Sequence, residues 1–181
     1  MPILHLQNFD ISAIPQDTVF ILDTNILYYV HSGYYIQSNN KVTGYSNLIQ
    51  QLLNNGYNVT VSALSVQELL FGIENKEYMI YCNGAGLSSS NYTKKDFRKN
   101  VNQRVAIKSK FKAILSELSI YNIENGTVLS CVLEHFVDTF ELHKMDPIDF
   151  ILASNYDSEK AFFITDDRDF QSLTSINILT F

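Results

Sequence analysis

Four acidic residues, far apart in the sequence, are the candidates for chemistry: Asp23, Glu68, Asp149 and Asp167. Each follows an apolar run or stands in the first turn of a predicted helix. If these positions converge, four crowded carboxylates repel one another and require a cation. Oxygen ligands without histidine or cysteine suit Mg²⁺ or Mn²⁺ rather than zinc. One or two such ions could activate water for in-line attack on a phosphodiester, so the set predicts a metal-dependent nuclease.

Hydrophobic patterns predict the strands that would hold these acids. Short runs rich in β-branched and aromatic residues indicate strands buried on both faces at residues 19–24, 58–63, 161–165 and 176–181. Helical patterns lie between them, which predicts an α/β domain with a mostly parallel sheet covered on both faces. Sites in such sheets form outside the carboxyl ends of the strands, and all four acids are expected at that edge.

Helix starts are predicted from capping signals. Ser65 is predicted to cap a helix, with Glu68 as its capping-box partner. Asp146 is predicted to cap a later helix, with Asp149 in its first turn, and this makes Asp146 a structural residue rather than a metal ligand. The stretch 76–100 has the weakest pattern, and its glycine- and serine-rich part predicts a mobile loop. Apolar stripes indicate further helices at residues 45–53, 107–118 and 129–140.

The four acids lie in segments that form an ordered set: LDTNIL, SVQELLFG, DPIDFILAS and ITDDRDF. Together these segments resemble the four motifs of PIN-domain nucleases, a family that includes VapC-like toxin ribonucleases. The match runs from about residue 19 to the C-terminus. The resemblance implies a three-layer α/β/α sandwich that cleaves RNA with a divalent metal. It places the catalytic and metal-binding roles on the four acids, with Asn25 and Thr165 at supporting polar positions.

The resemblance also bears on partners and organisation. Many bacterial relatives are toxins restrained by an antitoxin protein, and small nucleases of this type often form homodimers. An antitoxin and a second copy of the chain are therefore options beside the RNA substrate. Two features depart from the common toxins: residues 1–18, expected to pack on the domain as an extension, and a basic helical insertion at about residues 76–112 of the nuclease domain (19–181). Neither touches the four motifs, but together they leave the biological role open.

Each acid also has a structural interpretation. Glu68 and Asp149 could merely favour helix termini, but capping does not explain Asp23 or Asp167. The metal interpretation is therefore favoured for the set as a whole. The register of the last motif selects Asp167 as the fourth acid, and its neighbours Asp166 and Asp169 remain alternatives.

Positive charge is concentrated in one segment of an otherwise acidic chain. The formal net charge is −6, yet eight of the thirteen Lys and Arg residues lie between positions 94 and 112. Arg104, Lys108 and Lys112 share a helix face, opposite an apolar face that is expected to include Val101 and Val105. Because an acidic site repels RNA, this basic face is predicted to bind the RNA backbone. The alternative is an ordinary solvated helix face.

Three function classes are compatible with these patterns. A ribonuclease is favoured over a non-catalytic PIN-like scaffold that binds RNA or protein, because a scaffold has no need of a costly acid cluster. A DNA-directed metal nuclease remains open, since the phosphates of RNA and DNA look alike to a metal site. A phosphatase with an aspartyl nucleophile is disfavoured, because Asn25 occupies the place of its second Asp. Tyr28 and Tyr29 are interpreted as core or surface residues rather than base-stacking residues.

The cysteines and the N-terminus indicate the compartment. Cys82 and Cys131 lie far apart and outside any CxxC pattern, so neither a disulfide framework nor a cysteine zinc site is predicted. The first residues lack the pattern of a secretory signal, and no apolar run reaches membrane-spanning length. A cytoplasmic protein without a membrane segment is expected.

Overall fold

The computed structural model describes residues 3–35, 39–88, 90–125, 137, 147–154, 160–172 and 176–181. The stripe predicted at 129–140, apart from position 137, and the predicted cap Asp146 lie outside the described residues. Six strands form one sheet: β1 (Ile3–His5), β2 (Val19–Leu22), β3 (Asn58–Ser62), β4 (Asn122–Glu124), β5 (Ala161–Ile164) and β6 (Asn177–Thr180). Their order is β1-β6-β5-β2-β3-β4, and all neighbouring strands are parallel.

Helices cover both faces of this sheet. The described helices are α1 (Thr24–His31), α2 (Asn40–Asn54), α3 (Ala63–Ala85), α4 (Lys94–Lys99), α5 (Val101–Leu118) and α6 (Pro147–Ser154). Phe20 and Leu22 face the larger core, together with buried residues of α1, α2, α3 and α5. Ile21, between them, faces a second core that contains Leu152 of α6. This alternation along β2 gives a three-layer α/β/α sandwich, as expected.

The four strands expected from apolar runs are confirmed as β2, β3, β5 and β6, each ending within two residues of the expected bounds. The sequence patterns missed β1 and β4, which lie at the two edges of the sheet. Both have only three residues, and most of their side chains are exposed, so neither shows the continuous apolar run of a central strand. Through β1, the N-terminal extension pairs with β6 and lengthens the sheet.

The prediction of a capping box at Ser65 and Glu68 was wrong. The residue that caps α3 is Ser62, whose hydroxyl accepts a hydrogen bond from the Leu64 amide at 3.2 Å. Strand β3 ends at Ser62 and the helix begins at once, so Ser65 falls inside the first turn, fully buried. Glu68 therefore lies in the second turn, beyond the reach of a capping role.

The loop predicted at the glycine- and serine-rich residues 82–93 begins later than expected, and the described residues 86–88 and 90–93 lie outside helices and strands. Helix α3 continues to Ala85 and ends at Gly86, whose φ of 63° is the left-handed conformation that glycine adopts readily. Thr93 and Asp96 then form a reciprocal capping box that starts α4. The composition thus indicated the connection between α3 and α4 but did not indicate the last turn of α3.

The basic segment forms a small layer of its own against α3. Residues of α3, α4 and α5 build a separate apolar cluster of Tyr78, Cys82, Phe97 and Ile107. Val101 and Val105 are exposed, which corrects their expected place on the buried face. At 100° per residue they fall beside Lys108 and Lys112 rather than beside Ile107.

None of the helices in the described ranges is both long and apolar enough to cross a membrane.

Candidate active site

The carboxyl edge of the sheet contains a crevice between β2 and β5. From β2 the chain proceeds outward to β3 and β4, and it then returns to β5 on the other side of β2. This reversal opens a crevice at the strand ends, where open α/β sheets bind ligands. Asp23 directly follows β2, and its amide donates to the Ile164 carbonyl at the end of β5 at 3.1 Å. The topology therefore brings the first and last motifs side by side.

Asp23 is buried, with 4% of its surface exposed, and both of its carboxylate oxygens accept hydrogen bonds. Oδ1 accepts from the Thr24 amide and Oδ2 from the Thr165 hydroxyl, each at 2.6 Å. Asp23 is the N-cap residue of α1, so the expectation that capping plays no part at Asp23 was wrong. Burial nevertheless raises its pKa to about 6, and the charges of Asp167 and Glu68 add to the rise despite these hydrogen bonds.

Thr165 connects Asp23 to the chain that leaves β5. Its hydroxyl donates to Asp23 and accepts a hydrogen bond from the Asp167 amide at 2.9 Å. The Asp167 carboxylate in turn accepts from the Asp169 amide at 2.9 Å. One buried hydroxyl thus positions two of the four acids, a supporting role that agrees with the one implied for Thr165.

Glu68 reaches the site from α3, the helix that follows β3. The Thr24 hydroxyl donates to Glu68 Oε2 at 2.7 Å, which ties the first turn of α1 to α3. Thr24 therefore contacts two acids, because its amide donates to Asp23. Sequence reasoning did not single out Thr24, although its position directly after Asp23 placed it at the same helix start.

All four predicted acids line one cavity of about 480 Å³. Asp149 enters it from the first turn of α6, as the sequence predicted, and is partly buried. Asn25, the second supporting residue of the resemblance, also lines the cavity. Helices on both faces of the sheet thus contribute to one site, with the remaining lining formed by Thr24, Tyr28, Tyr29, Tyr35, Phe71 and Gly72.

The two alternatives to Asp167 are placed elsewhere. Asp166 accepts hydrogen bonds from Lys41 Nζ at 2.7 Å and from the Tyr45 hydroxyl. Burial raises the pKa of Asp166, but these contacts outweigh it and hold the pKa below its ordinary value. Asp169 begins a short 3₁₀ turn and does not line the cavity. Of the three adjacent acids, the structure brings Asp167 to the other predicted site residues.

The oxygen atoms around the cavity are of the kind that binds a hard divalent cation. They include carboxylate oxygens and the Asn25 side-chain oxygen, which is buried and has no hydrogen-bond partner among the described residues. Such a buried acceptor costs free energy until a cation or a donor approaches it. Within the described ranges, no three Asp, Glu, His or Cys side chains are grouped closely enough to hold a metal ion.

Aromatic side chains form one wall of the same cavity, and sequence reasoning missed its extent. Tyr28 and Tyr29 of α1, Tyr35 after that helix and Phe71 of α3 contribute to this wall. The sequence held one signal for this wall. Phe71 follows Glu68 by three residues, which places the two on one helix face.

The three cations predicted to bind RNA lie outside this cavity. Arg104, Lys108 and Lys112 line a second cavity of about 290 Å³ with an apolar floor that includes Phe111 and Leu115. Glu74 of α3 also lines this second cavity. Gly72, which lines the acidic cavity, lies two residues earlier in α3, so the two lining residues are less than one helical turn apart along the helix. Two other cations of the segment are paired with acids of α3, Arg98 with Glu74 and Lys110 with Glu77.

Comparison with known proteins gives matches in structure alone. No family model matches the chain, and no curated protein matches its sequence. One matching chain comes from the crystal structure of VapBC2 from Rickettsia felis bound to a DNA fragment from their promoter, with 16% identity and a TM-score of 0.54. Another comes from the DNA-bound VapBC of Salmonella typhimurium, with 15% identity and a TM-score of 0.51. Both matches cover 90% of this chain and 98% of the other. The fold is PIN-like, which confirms the fold expected from the four motifs.

Proposed function

We propose that this protein is a divalent-metal-dependent endoribonuclease that hydrolyses RNA phosphodiester bonds. The observation that carries the proposal is the convergence of Asp23, Glu68, Asp149 and Asp167, from four separate motifs, on one cavity at the crevice of the sheet. A fold without catalytic use for this cavity would gain by replacing such acids, because burial disfavours the charge of Asp23. A PIN-like fold is the expected setting for this chemistry.

The proposed roles follow from the positions of the side chains. Asp23, Asp149 and Asp167 hold the cation, and Glu68 orients the attacking water or assists a second ion. Bound Mg²⁺ or Mn²⁺ would supply Lewis-acid stabilisation of the charge that develops on the phosphate oxygens. Thr165 fixes the orientation of Asp23 and the start of the Asp167 segment through its two hydrogen bonds. Thr24 keeps Glu68 beside Asp23.

We assign RNA-backbone binding to Arg104, Lys108 and Lys112. No acid pairs with these three cations in the described part of the chain, whereas Arg98 and Lys110 are neutralised by α3. Unpaired cations are the ones that release counterions when they meet phosphates. They line a cavity that shares helix α3 with the acidic cavity, so we expect a strand that enters the acidic cavity to reach them.

The structural neighbours support a role in a toxin–antitoxin pair. Both are VapBC complexes, and the chain matches 98% of each neighbouring chain. We include an antitoxin partner in the proposal on this ground. Purification of the protein with the product of an adjacent small reading frame, followed by loss of nuclease activity in the complex, is the expected result. Sedimentation of the free protein reports whether it forms a homodimer.

The test of the nuclease proposal is cleavage of a labelled single-stranded RNA pool with Mn²⁺ or with EDTA. Asp23→Asn and Asp149→Asn should each lose at least about a hundredfold in rate, corresponding to roughly 3–4 kcal/mol of transition-state stabilisation. Asp17→Asn is the matched control. Asp17 is exposed and lies just before β2, at the opposite edge of the sheet from the cavity, so its loss should leave the rate unchanged.

Two outcomes would contradict the proposal. Activity that survives both EDTA and Asp23→Asn does not come from this site. Metal-dependent cleavage of single-stranded DNA with RNA left intact would move the function to the DNA-directed class. In that case the assignment of the acids would stand and the assignment of the substrate would fall.

A further inference from the structure

Tyr35 and Phe71 are unusual among the described aromatic residues because both are exposed, Tyr35 by 40% and Phe71 by 58%. All other aromatic side chains in the described ranges are buried or partly buried. Both exposed rings line the cavity that contains the four acids. An exposed ring loses the stabilisation that burial of its apolar surface gives, so two such rings in one cavity indicate a ligand with a flat, uncharged face.

The ring of Tyr35 is held in place by neighbouring rings. Tyr35 meets Tyr29 at a centroid distance of 5.0 Å and Tyr28 at 5.9 Å, in both cases near edge-to-face. Tyr29 in turn lies parallel to Tyr45, which is fully buried in the larger core. Such contacts fix the positions of rings without covering their outer faces. The tyrosine part of the wall is therefore preformed.

Helix α3 also lines the cavity, through Glu68, Phe71 and Gly72. A Cβ atom placed on Gly72 would lie 3.4 Å from a ring carbon of Tyr28, so the absence of a larger side chain lets α1 and α3 approach closely. Phe71 stands next to this contact, with the ammonium group of Lys94 4.6 Å from its ring centroid. A cation beside an exposed ring suits a ligand that combines a π-face with a phosphate.

The hydroxyl groups of the tyrosine wall have no assigned partner. Within the described part of the chain, no hydrogen bond is formed by the hydroxyls of Tyr28, Tyr29 or Tyr35. Buried or structural tyrosines normally find a partner, as Tyr34 does with Glu77 at 2.5 Å. The wall thus offers both ring faces and unused polar groups to the cavity.

We propose that Tyr35 and Phe71, supported by Tyr28 and Tyr29, form a stacking subsite for an unpaired nucleobase next to the acids. The proposal rests on the proposed nuclease function and names the part of the substrate that this wall recognises. Bases are the uncharged part of a nucleic acid, so a base face can enter a cavity whose carboxylates repel phosphate. A paired base has both faces covered by its neighbours in the duplex, so the wall selects single strands.

The test uses a short single-stranded RNA that carries 2-aminopurine, titrated with the wild-type protein in EDTA. Stacking quenches the fluorescence of this base. Tyr35→Leu and Phe71→Leu should each weaken binding between about fivefold and a hundredfold and reduce the quenching. Tyr35→Phe and Phe71→Tyr keep a ring and should retain both signals. Tyr81→Leu is the control, because Tyr81 is a partly buried aromatic residue of the α3–α4 cluster outside the cavity.

The comparison of ring and leucine variants separates stacking from a general structural effect. Binding of duplex RNA should be weaker than that of the single strand and insensitive to all of these changes. Equal affinity of the wild-type and leucine variants for the single strand overturns the subsite, and so does an absence of quenching with the wild type. Binding of an aromatic peptide in place of RNA, with the same ring dependence, would also overturn it.

The subsite and the nuclease proposal can fail independently. Ring-dependent binding in EDTA, with the RNA still intact after Mn²⁺ is added, supports the subsite and contradicts the nuclease. Mn²⁺-dependent cleavage by a protein whose leucine variants bind RNA normally supports the nuclease and contradicts the subsite. Gel analysis of the recovered RNA distinguishes these cases.

Discussion

Replacement of Asp23 by asparagine should stabilise the metal-free protein at neutral pH. Asp23 is almost fully buried, and its pKa is raised from 3.8 to about 6. A shift of roughly two units corresponds to about 3 kcal/mol that the ionised carboxylate costs the folded state. Asparagine removes this cost, but its single side-chain oxygen accepts a hydrogen bond from only one of the two donors, Thr24 and Thr165. The lost hydrogen bond lowers the gain in stability by about 1 kcal/mol. The expected net gain in the free energy of unfolding is about 2 kcal/mol.

The sign of this effect should change with pH. Because the folded-state pKa is the higher one, the contribution of Asp23 to stability is fully present below pH 3.8 and is lost as pH rises through about 6. Asp23→Asn should therefore be more stable than wild type above pH 6. Below pH 3.8 wild-type Asp23 is protonated in both states, and the variant should be less stable by about the one lost hydrogen bond. The two stability curves cross between these limits.

The measurement is urea unfolding in EDTA, followed by circular dichroism because the chain has no tryptophan. Asp166→Asn is the matched control with the opposite sign. The contacts of Asp166 with Lys41 and Tyr45 hold its pKa below the ordinary value, so this carboxylate stabilises the protein at neutral pH. Its replacement should cost about 1.5–3 kcal/mol there, and the cost should shrink as pH falls.

A loss of stability in Asp23→Asn above pH 6, similar to that of Asp166→Asn, would refute the reasoning. It would mean that Asp23 serves α1 as an ordinary N-cap and is not held in the ionised form at a cost. A gain that persists unchanged below pH 3.8 would also refute it, because the gain would then come from something other than charge.

Three further outcomes are expected. Mn²⁺ should raise the melting temperature of the wild type more than that of Asp23→Asn, since a cation that binds only the folded state stabilises it, and equal shifts would count against the metal site. The double variant Asp23→Asn/Asp149→Asn should cleave RNA no more slowly than the slower single variant, because residues that serve one ion are not additive in their effects. Replacement of the basic-face residues Arg104, Lys108 and Lys112 by glutamine should lower the slope of log Kd against log salt for RNA binding by about 2. Lys160→Gln is the control and should leave the slope unchanged. An unaltered slope in the triple variant would make the face an ordinary solvated one.

The central strands and the convergence of the acids could be predicted because both depend on simple rules. Apolar runs such as residues 161–165 can be buried only in the middle of a sheet, and parallel strands share one carboxyl edge. The cap of α3 could not be predicted in the same way. Ser62 and Ser65 are both plausible caps by local pattern, and the choice depends on where β3 stops pairing with its neighbours.

Other features depend on contacts between remote residues. The last turn of α3 was assigned to the loop that follows it, and its packing against α4 through Cys82 and Phe97 could not be read from the local pattern. The aromatic wall depends on the packing of α1 against α3, which brings Tyr28 to Gly72. No periodicity within either helix could indicate that approach. Single-sequence patterns therefore predicted the acids of the site better than the surroundings of the acids.

The neighbouring carboxylates Asp166 and Asp167 have different tasks because their side chains meet different surroundings. Asp166 binds Lys41 and Tyr45, while Asp167 lines the cavity. Deletion of a single residue between Ala161 and Asp166 would move Asp167 into the place of Asp166 and bring Arg168 to the cavity in place of an acid. The length of this segment should therefore matter as much as the acids themselves. Insertions or deletions here would disable the protein even where every acid is retained.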